Sequence, residues 1–226
     1  MPRNRRSAGD NALQKDPAGR VSQGRNEVRI IGGLWRGRKI RFPAKAAIRP
    51  SADRVRETLF NWLAPIIRGA RCLDLFAGSG VLGLESLSRG AARAVLVDRD
   101  PDVIRHLEAL AGELAPQAAL VIRGDATAWL AGPPQPFDIV FLDPPFGSGL
   151  LPGLLHRLDR GWLASGAMVY VECAASEGPP ALPAGWRMHR SGRAGDVGYY
   201  LAAGPVADGP TPATQANPPD EGGGTT

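Results

Sequence analysis

The chain has 226 residues, of which 43% are hydrophobic, so it can form one substantial core and at most one further small domain. Its net charge is +5 and its pI is close to 9.8, which favours a polyanionic partner. No apolar stretch approaches about 18 residues and no hydrophobic segment follows the basic N-terminus, so we expect neither a membrane span nor a signal peptide.

The cysteines and histidines predict no metal site. Cys72 and Cys173 both lie in apolar runs and are interpreted as buried free thiols, while the three histidines are scattered along the chain. Free thiols indicate a reducing compartment, so we expect a cytoplasmic protein. We also expect a monomer.

The chain begins and ends in segments that predict disorder. Residues 1–26 are polar and arginine-rich, and residues 204–226 are rich in Pro, Gly, Thr and Ala. Between them, residues 27–66 are predicted to form a small N-terminal unit and residues 67–203 a larger domain. The N-terminal unit consists of a β-hairpin over 28–43 and a helix capped by Ser51, whose apolar positions are Val55, Leu59, Trp62, Leu63 and Ile66.

Positive charge is concentrated in this N-terminal unit. Between Val28 and Arg56 there are nine basic residues and a single acid, Asp53. This density, with an aromatic residue among the arginines, favours a nucleic-acid contact over an ordinary solvated face. The candidate contacts are Arg29, Trp35, Arg36, Arg38, Lys39, Arg49, Arg54 and Arg56.

From residue 71 onward, strands and helices alternate, which predicts an α/β fold with a mostly parallel sheet and helices on both faces. The predicted strands are 71–76, 94–98, 119–122, 137–142 and 167–172, with a closing pair near 186–190 and 197–202. The predicted helices are 79–89, 101–112, 125–131 and 150–160. Ligands of such sheets bind at the carboxyl ends of the strands, so the strand-end residues are the candidate site.

The first of these strands leads into a glycine-rich turn. Gly78, Gly80 and Gly83 fit G-x-G-x-x-G, a pattern typical of a nucleotide site but weak alone. We expect a side chain at Gly80 to block the approach of the backbone to a ligand. Asp98 ends the second strand, eighteen residues after Gly80, about where an acid binds a ribose hydroxyl. Asp125 ends the third strand and either caps the next helix or lies beside an adenine.

Two features disfavour a dinucleotide. Asp74 precedes the glycine turn, where a carboxylate suits a cationic group such as an amino-acid ammonium better than a pyrophosphate. The fourth strand ends in FLDPPFGSG, and Pro144-Pro145 cannot continue a strand ladder. Asp143 and Phe146 are therefore held at the strand end, and we expect the loop 147–149 to be mobile at the rim of a substrate pocket.

Together these motifs resemble the class I S-adenosylmethionine-dependent methyltransferases, and most closely the bacterial family that methylates the exocyclic N2 of one guanine in 16S ribosomal RNA. The resemblance spans about residues 28–202. It rests on RIIGGLWRGRKI, RPSADRVRETLFNWL, LDLFAGSGVLGLESLSRGA and FLDPPF, and more weakly on RAGDVGYYL. The family commonly has Glu where this chain has Asp98, which keeps the carboxylate.

The resemblance implies a Rossmann-like fold, S-adenosyl-L-methionine as methyl donor, and 16S rRNA or the small ribosomal particle as substrate. The implied cofactor residues are Asp74, Phe76, Gly78, Ser79, Gly80, Asp98, Asp125 and Ala126. The implied catalytic residues are Asp143, Pro144, Pro145 and Phe146. The Asp143 carboxylate and the Pro144 carbonyl would accept hydrogens of the amino group and turn its lone pair toward the methyl group, while Phe146 would stack on the base. Whether Asp143 takes the proton or only orients the amine stays open.

Two other functions fit the same residues. An adenine-N6 DNA methyltransferase or a protein glutamine methyltransferase would orient its nitrogen in the same way, and the basic N-terminal unit favours nucleic acid over protein. A non-catalytic RNA-binding protein with this fold is the other alternative, and the intact Asp143, Gly78 and Gly80 argue against it.

Overall fold

The computed structural model describes residues 27–42 and 53–206. The predicted tail 1–26, the predicted Ser51 cap, the candidate RNA contact Arg49 and residues 207–226 of the second predicted tail lie outside the described residues. Just before that second tail, Gly204 donates a backbone hydrogen bond to the carbonyl of Ala167 (2.8 Å). The sheet therefore holds the chain as far as residue 204.

The described residues form nine strands and five helices. In chain order they are β1 (Glu27–Arg29), β2 (Lys39–Arg41), α1 (Asp53–Leu63), β3 (Arg71–Asp74), α2 (Val81–Ser88), β4 (Arg93–Asp98), α3 (Pro101–Leu114), β5 (Ala119–Arg123), α4 (Ala126–Trp129), β6 (Phe137–Leu142), α5 (Leu151–Leu158), β7 (Leu163–Ala174), β8 (Arg187–Ala194) and β9 (Val197–Ala203). A 3₁₀ turn, Ala175–Glu177, follows β7.

Seven strands form one sheet in the order β5-β4-β3-β6-β7-β9-β8. The first five strands in this order are parallel, and β9 and β8 close the sheet in antiparallel fashion. β1 and β2 form a separate antiparallel hairpin. This confirms the predicted fold: a mostly parallel, Rossmann-like sheet preceded by a small hairpin and helix. The strand order reverses between β3 and β6, which is where ligands of such sheets bind.

Side chains of the sheet alternate between two apolar layers, because successive strand residues point to opposite faces. One layer packs sheet residues such as Cys72 and Phe141 against α1, α2, α3 and the hairpin. The other packs neighbours such as Leu73 and Leu142 against α4 and α5. The hairpin and α1 thus share a core with the sheet and cover part of one face of it. α1 ends at Leu63, so Ile66, which the apolar pattern assigned to the helix, lies beyond it and is exposed.

Within residues 27–42 and 53–206, no helix is long and apolar enough to cross a membrane. In the same ranges, no group of three or more His, Cys, Asp or Glu side chains is placed to hold a metal ion.

Candidate active site

The glycine-rich turn lies at the carboxyl end of β3 and is fixed there by the end of β4. Gly78 and Gly80 have φ angles of 51° and 76°, a conformation that favours glycine. The Asp98 carboxylate accepts the backbone N–H of Gly78 through Oδ2 and that of Asp100 through Oδ1, both at 2.9 Å. Asp98, half-buried, therefore positions the turn and lies at the same sheet edge.

The structure shows a packing role for Gly80, and its expected approach to a ligand stays a prediction. A Cβ atom at Gly80 would lie 2.4 Å from Cδ2 of Leu107, and one at Gly83 would lie 3.0 Å from Cδ2 of Leu96. A side chain at either position would therefore meet the core. These two glycines thus allow α2 to pack closely on β4 and α3.

Asp74 is the last residue of β3 and is almost fully buried. Its Oδ2 accepts the backbone N–H of Gly83 (3.3 Å). Burial raises the pKa of Asp74 to about 7, although hydrogen bonds from the backbone N–H groups of Gly83 and Phe76 partly oppose the shift. A cationic ligand group beside this carboxyl would favour its ionised form.

Asp143 follows β6 directly, next to β3 in the sheet. Asp74 is paired with Phe141, so Asp143, two residues further along β6, lies on the same face as Asp74. Burial raises the pKa of Asp143 well above its usual range, and the charges of Glu172 and Asp74 raise it further. We refer to Asp74, Asp143 and Glu172 as the carboxyl cluster.

Glu172 is a member of this cluster that sequence reasoning missed. It lies in β7, 3% exposed, and the Tyr170 hydroxyl donates to its Oε1 (2.7 Å). Leu142 pairs with Val171, so continuing the register by one residue brings Asp143 beside Glu172. The signal was present in the sequence: a charged residue inside the apolar run MVYVECA is rarely buried without a partner or a function.

A cleft of about 170 Å³ opens beside the carboxyl cluster. Pro144, Phe146 and Glu172 line it, together with the loop 147–149 and Glu177. The N–H of Gly147 donates to Oε1 of Glu177 (3.3 Å), which ties the loop to the turn after β7. Pro144 is buried, Phe146 half-buried and Pro145 exposed, so these three residues, which directly follow Asp143, border the cleft at different depths.

The remaining predicted cofactor residues lie along the same edge. Asp125 is exposed and accepts the N–H groups of Thr127 (2.9 Å) and Ala128 (3.0 Å), so it caps α4. The cap was one of its two predicted roles, and the adenine contact stays a prediction. Ala126 and Ser79 are buried, and Phe76 is half-buried.

The hairpin carries the exposed basic residues. Arg29, Arg36, Arg38 and Lys39 are all exposed, and we call these four the hairpin surface. Arg38 pairs with Glu113, Lys39 with Glu27 (2.9 Å) and Arg29 with Asp53 (3.5 Å). Such exposed pairs contribute little to stability, so the cations can exchange partners.

Of the other predicted contacts, Trp35 and Arg56 belong to the folded body and Arg54 is accessible. The Trp35 ring packs partly against the core, and the backbone N–H of Trp35 donates to Oγ of Ser88 (2.9 Å). Arg54 is exposed on α1.

The prediction that Arg56 contacts RNA is wrong. Arg56 is fully buried and donates to the Arg29 carbonyl (2.9 Å), to Oε2 of Glu85 (3.1 Å) and to Asp53 (2.6 Å). Glu85, also fully buried, accepts two further bonds from Arg89 (3.0 and 2.9 Å). This anchor network of Arg56, Glu85 and Arg89 joins the hairpin and α1 to α2, so Arg56 has a structural role.

Comparison with known proteins places this chain in a family. The family model described as Conserved hypothetical protein 95 matches residues 28–203. The chain is 50% identical over 179 residues to ribosomal RNA small subunit methyltransferase D of Escherichia coli strain K12. The matched region covers 79% of this chain and 90% of that protein. The chain belongs to this methyltransferase family.

Two further relatives agree with the assignment. The ribosomal RNA small subunit methyltransferase D of Haemophilus influenzae is 42% identical over 182 residues, with 78% of this chain and 94% of that protein covered. The solved structure of the yhhF methyltransferase from Escherichia coli superposes with a TM-score of 0.73 at 48% identity, covering 80% of this chain and 99% of that one. The resemblance drawn from the sequence motifs is thereby confirmed.

Proposed function

We propose that this methyltransferase transfers a methyl group from S-adenosyl-L-methionine to the exocyclic N2 of a guanine in 16S ribosomal RNA of the small subunit. One observation carries the proposal: Pro144, Pro145 and Phe146, which follow Asp143 at the end of β6, border a cleft, and β6 lies directly beside β3 and its glycine turn. The relatives named above, which are called ribosomal RNA methyltransferases, support RNA as the substrate.

The residues at the ends of β3 and β4 fit S-adenosyl-L-methionine. The buried Asp74 carboxyl, with its pKa near 7, gains most from a cation and suits the amino-acid ammonium. Asp98 suits the ribose hydroxyls, and the turn at Gly78 lies between the two carboxyls. When bound, this donor supplies a methyl group activated by its sulfonium charge, so the intrinsic reactivity belongs to the cofactor.

The protein's task is to prepare the amine. The lone pair of a guanine N2 is delocalised into the ring, which makes the amino group a poor nucleophile. The Asp143 carboxylate and the Pro144 carbonyl accept its two hydrogens and direct the lone pair out of the ring plane. Phe146 stacks on the base once it has left the RNA structure. In-line positioning of this kind is worth several kcal/mol, on the order of 7–11 at best.

The hairpin surface supports an RNA partner. Four exposed cations lie on one short hairpin, which the anchor network holds rigidly on the body. Phosphate contacts of this kind set position and affinity, whereas contacts at the cleft select the base.

The test is to incubate the protein and radiolabelled S-adenosyl-L-methionine with small-subunit particles from cells that lack the gene, and to map the labelled base. We expect label on N2 of one guanine, and none with Asp143→Ala under the same conditions. Label on adenine in a parallel reaction with duplex DNA, or label on a glutamine of a particle protein, would support one of the alternative enzymes, and binding to particles without any transfer would support a non-catalytic role. Each of these three results would contradict the proposal.

A further inference from the structure

The cleft is lined by a carboxyl, that of Glu172, which the proposed transfer does not use. Asp143, Pro144 and Phe146 already hold the amine and stack the base, yet Glu172 lines the same cleft from the neighbouring strand. A carboxylate that is only 3% exposed is costly unless it has donors. The Tyr170 hydroxyl donates to its Oε1, and the side chain also borders the cleft.

The position of Glu172 is set by the sheet. β6 and β7 run parallel with Leu142 opposite Val171, so the next residues, Asp143 and Glu172, are lateral neighbours on one face. The Tyr170 hydroxyl holds Oε1 at 2.7 Å, which fixes the orientation of the carboxylate. Two acceptor groups therefore lie side by side at the strand ends, in a fixed order.

A guanine offers two neighbouring donors in a matching order. Its Watson–Crick edge carries the N2 amino group and, one ring position away, the N1–H. Adenine carries an amino group too, but its N1 is a lone pair, which an ionised carboxylate repels. Two adjacent acceptors thus distinguish guanine from adenine, because a buried acceptor that faces a lone pair instead of a donor costs about 1–3 kcal/mol or more.

We propose that Glu172 accepts a hydrogen bond from N1–H of the target guanine while Asp143 holds the N2 amino group, so that Glu172 selects guanine as the substrate base. Tyr170 is the positioning residue that orients this carboxylate toward the cleft. The inference rests on the proposed function and names the residue that makes its site specific for a base.

The base analogue 2-aminopurine tests this, because it keeps the 2-amino group and replaces N1–H with a lone pair. It also lacks O6, so the change of base preference in the Glu172 variant, and not the wild-type preference alone, assigns the effect to N1. The substrates are small-subunit particles assembled on 16S RNA that carries either guanine or 2-aminopurine at the mapped position. We expect the wild-type protein to prefer guanine in kcat/KM by about a hundredfold or more, as sites built to bind a donor reject analogues that lack it.

Glu172→Gln should change this preference. In the variant, Oε1 can keep the Tyr170 bond while an N–H group replaces Oε2, so the cleft gains a donor for the lone pair of 2-aminopurine. We expect the preference for guanine to fall by about tenfold or more, in line with the exchange of one buried hydrogen bond. Tyr170→Phe keeps the carboxylate but removes its orienting donor, and should lower the preference by a smaller factor. The affinity for S-adenosyl-L-methionine and the melting temperature show that each variant is folded.

Glu177→Gln is the matched control, since it neutralises a carboxylate at the rim of the same cleft and should leave the base preference unchanged. The inference is overturned if the wild type methylates the two bases equally well, or if Glu172→Gln rejects 2-aminopurine as strongly as the wild type does. If Glu172→Gln lost activity equally on both bases, its preference for guanine would equal that of the wild type, and Glu172 would have a structural role. If the wild type methylates no guanine N2 in unmodified particles, the proposed function itself fails, and this inference fails with it.

Discussion

Two groups of buried acids occupy the same apolar layer of this protein, and their surroundings differ in charge. Glu85, in the anchor network, accepts hydrogen bonds from Arg56 and Arg89. At the edge of the sheet, the charges that act on Asp143 are those of Glu172 and Asp74, both acidic. A buried acid with cations beside it holds elements together. Acids placed against one another raise each other's pKa, which marks a candidate site for a ligand that brings cations or donors.

The largest expected effect is on catalysis at the carboxyl cluster. Asp143→Ala removes the proposed acceptor of the N2 hydrogens, so single-turnover methyl transfer should fall by about a thousandfold, within the range of a lost catalytic group. The affinity for S-adenosyl-L-methionine, measured by calorimetry, should stay within about twofold, because Asp74 and Asp98 are untouched. Activity within a few-fold of the wild type would show that Asp143 does not act on the amine.

A substitution in the anchor network should lower the free energy of unfolding. Arg56→Met leaves Glu85 buried without one of its cations and should lower the free energy of unfolding by about 3–5 kcal/mol. Arg54→Met, two residues away and exposed, is the matched control and should change it by less than about 0.5 kcal/mol. Denaturant melts of the two variants measure the difference, and similar losses in both would exclude a structural role specific to Arg56.

The pKa of Asp74 predicts a smaller, pH-dependent effect. The folded protein keeps this carboxyl protonated up to about pH 7, whereas the unfolded chain releases the proton near its usual 3.8. The folded state binds the extra proton between these values, so the free energy of unfolding of the ligand-free protein should fall as the pH rises from about 4 to 7. Asp74→Asn should flatten this slope in melts across that range. A variant with the wild-type slope would mean that Asp74 is ionised in the fold.

The smallest effect concerns the hairpin surface. Replacing Arg36, Arg38 and Lys39 with Ala should reduce the slope of log K against log salt for particle binding by about 0.7–0.9 for each phosphate that the hairpin no longer binds. Cofactor affinity should not change. Arg187→Ala/Arg190→Ala, on the edge strand β8, removes two exposed cations at the far side of the sheet and serves as the control. A melt checks that weaker packing of the arginine stems is not the cause, and an unchanged slope would mean that the hairpin does not touch the RNA.

Local patterns predicted the parts of this molecule that depend on neighbours in the chain. The alternating apolar runs gave β3, β4, β5, β6 and the closing strands, and the Pro-Pro pair correctly ended β6 before Asp143. Strand β7 is longer than predicted, Leu163–Ala174 instead of 167–172, because Leu163 pairs with Phe137 of β6 and pairing with β9 extends the other end to Ala174.

Contacts between distant segments were not predictable in this way. Arg56 looked like one more cation in a basic block, and only its contact with Glu85, 29 residues away, buries it. Glu172 became a site residue only once β6 and β7 were paired, and the clash at Gly80 depends on Leu107 of α3. Each misreading involves a residue whose partner lies far along the chain.

The most direct test of the contrast between the two groups of acids is a pair of thermal melts, of Asp143→Asn and of Glu85→Gln. Both substitutions replace a carboxyl with an amide of nearly the same size. The account predicts that Asp143→Asn melts at or above the wild-type temperature, since it relieves repulsion from Glu172 and Asp74, and that Glu85→Gln melts well below it, since it leaves Arg56 buried without this partner's charge. A lower melting temperature for Asp143→Asn than for Glu85→Gln would contradict it.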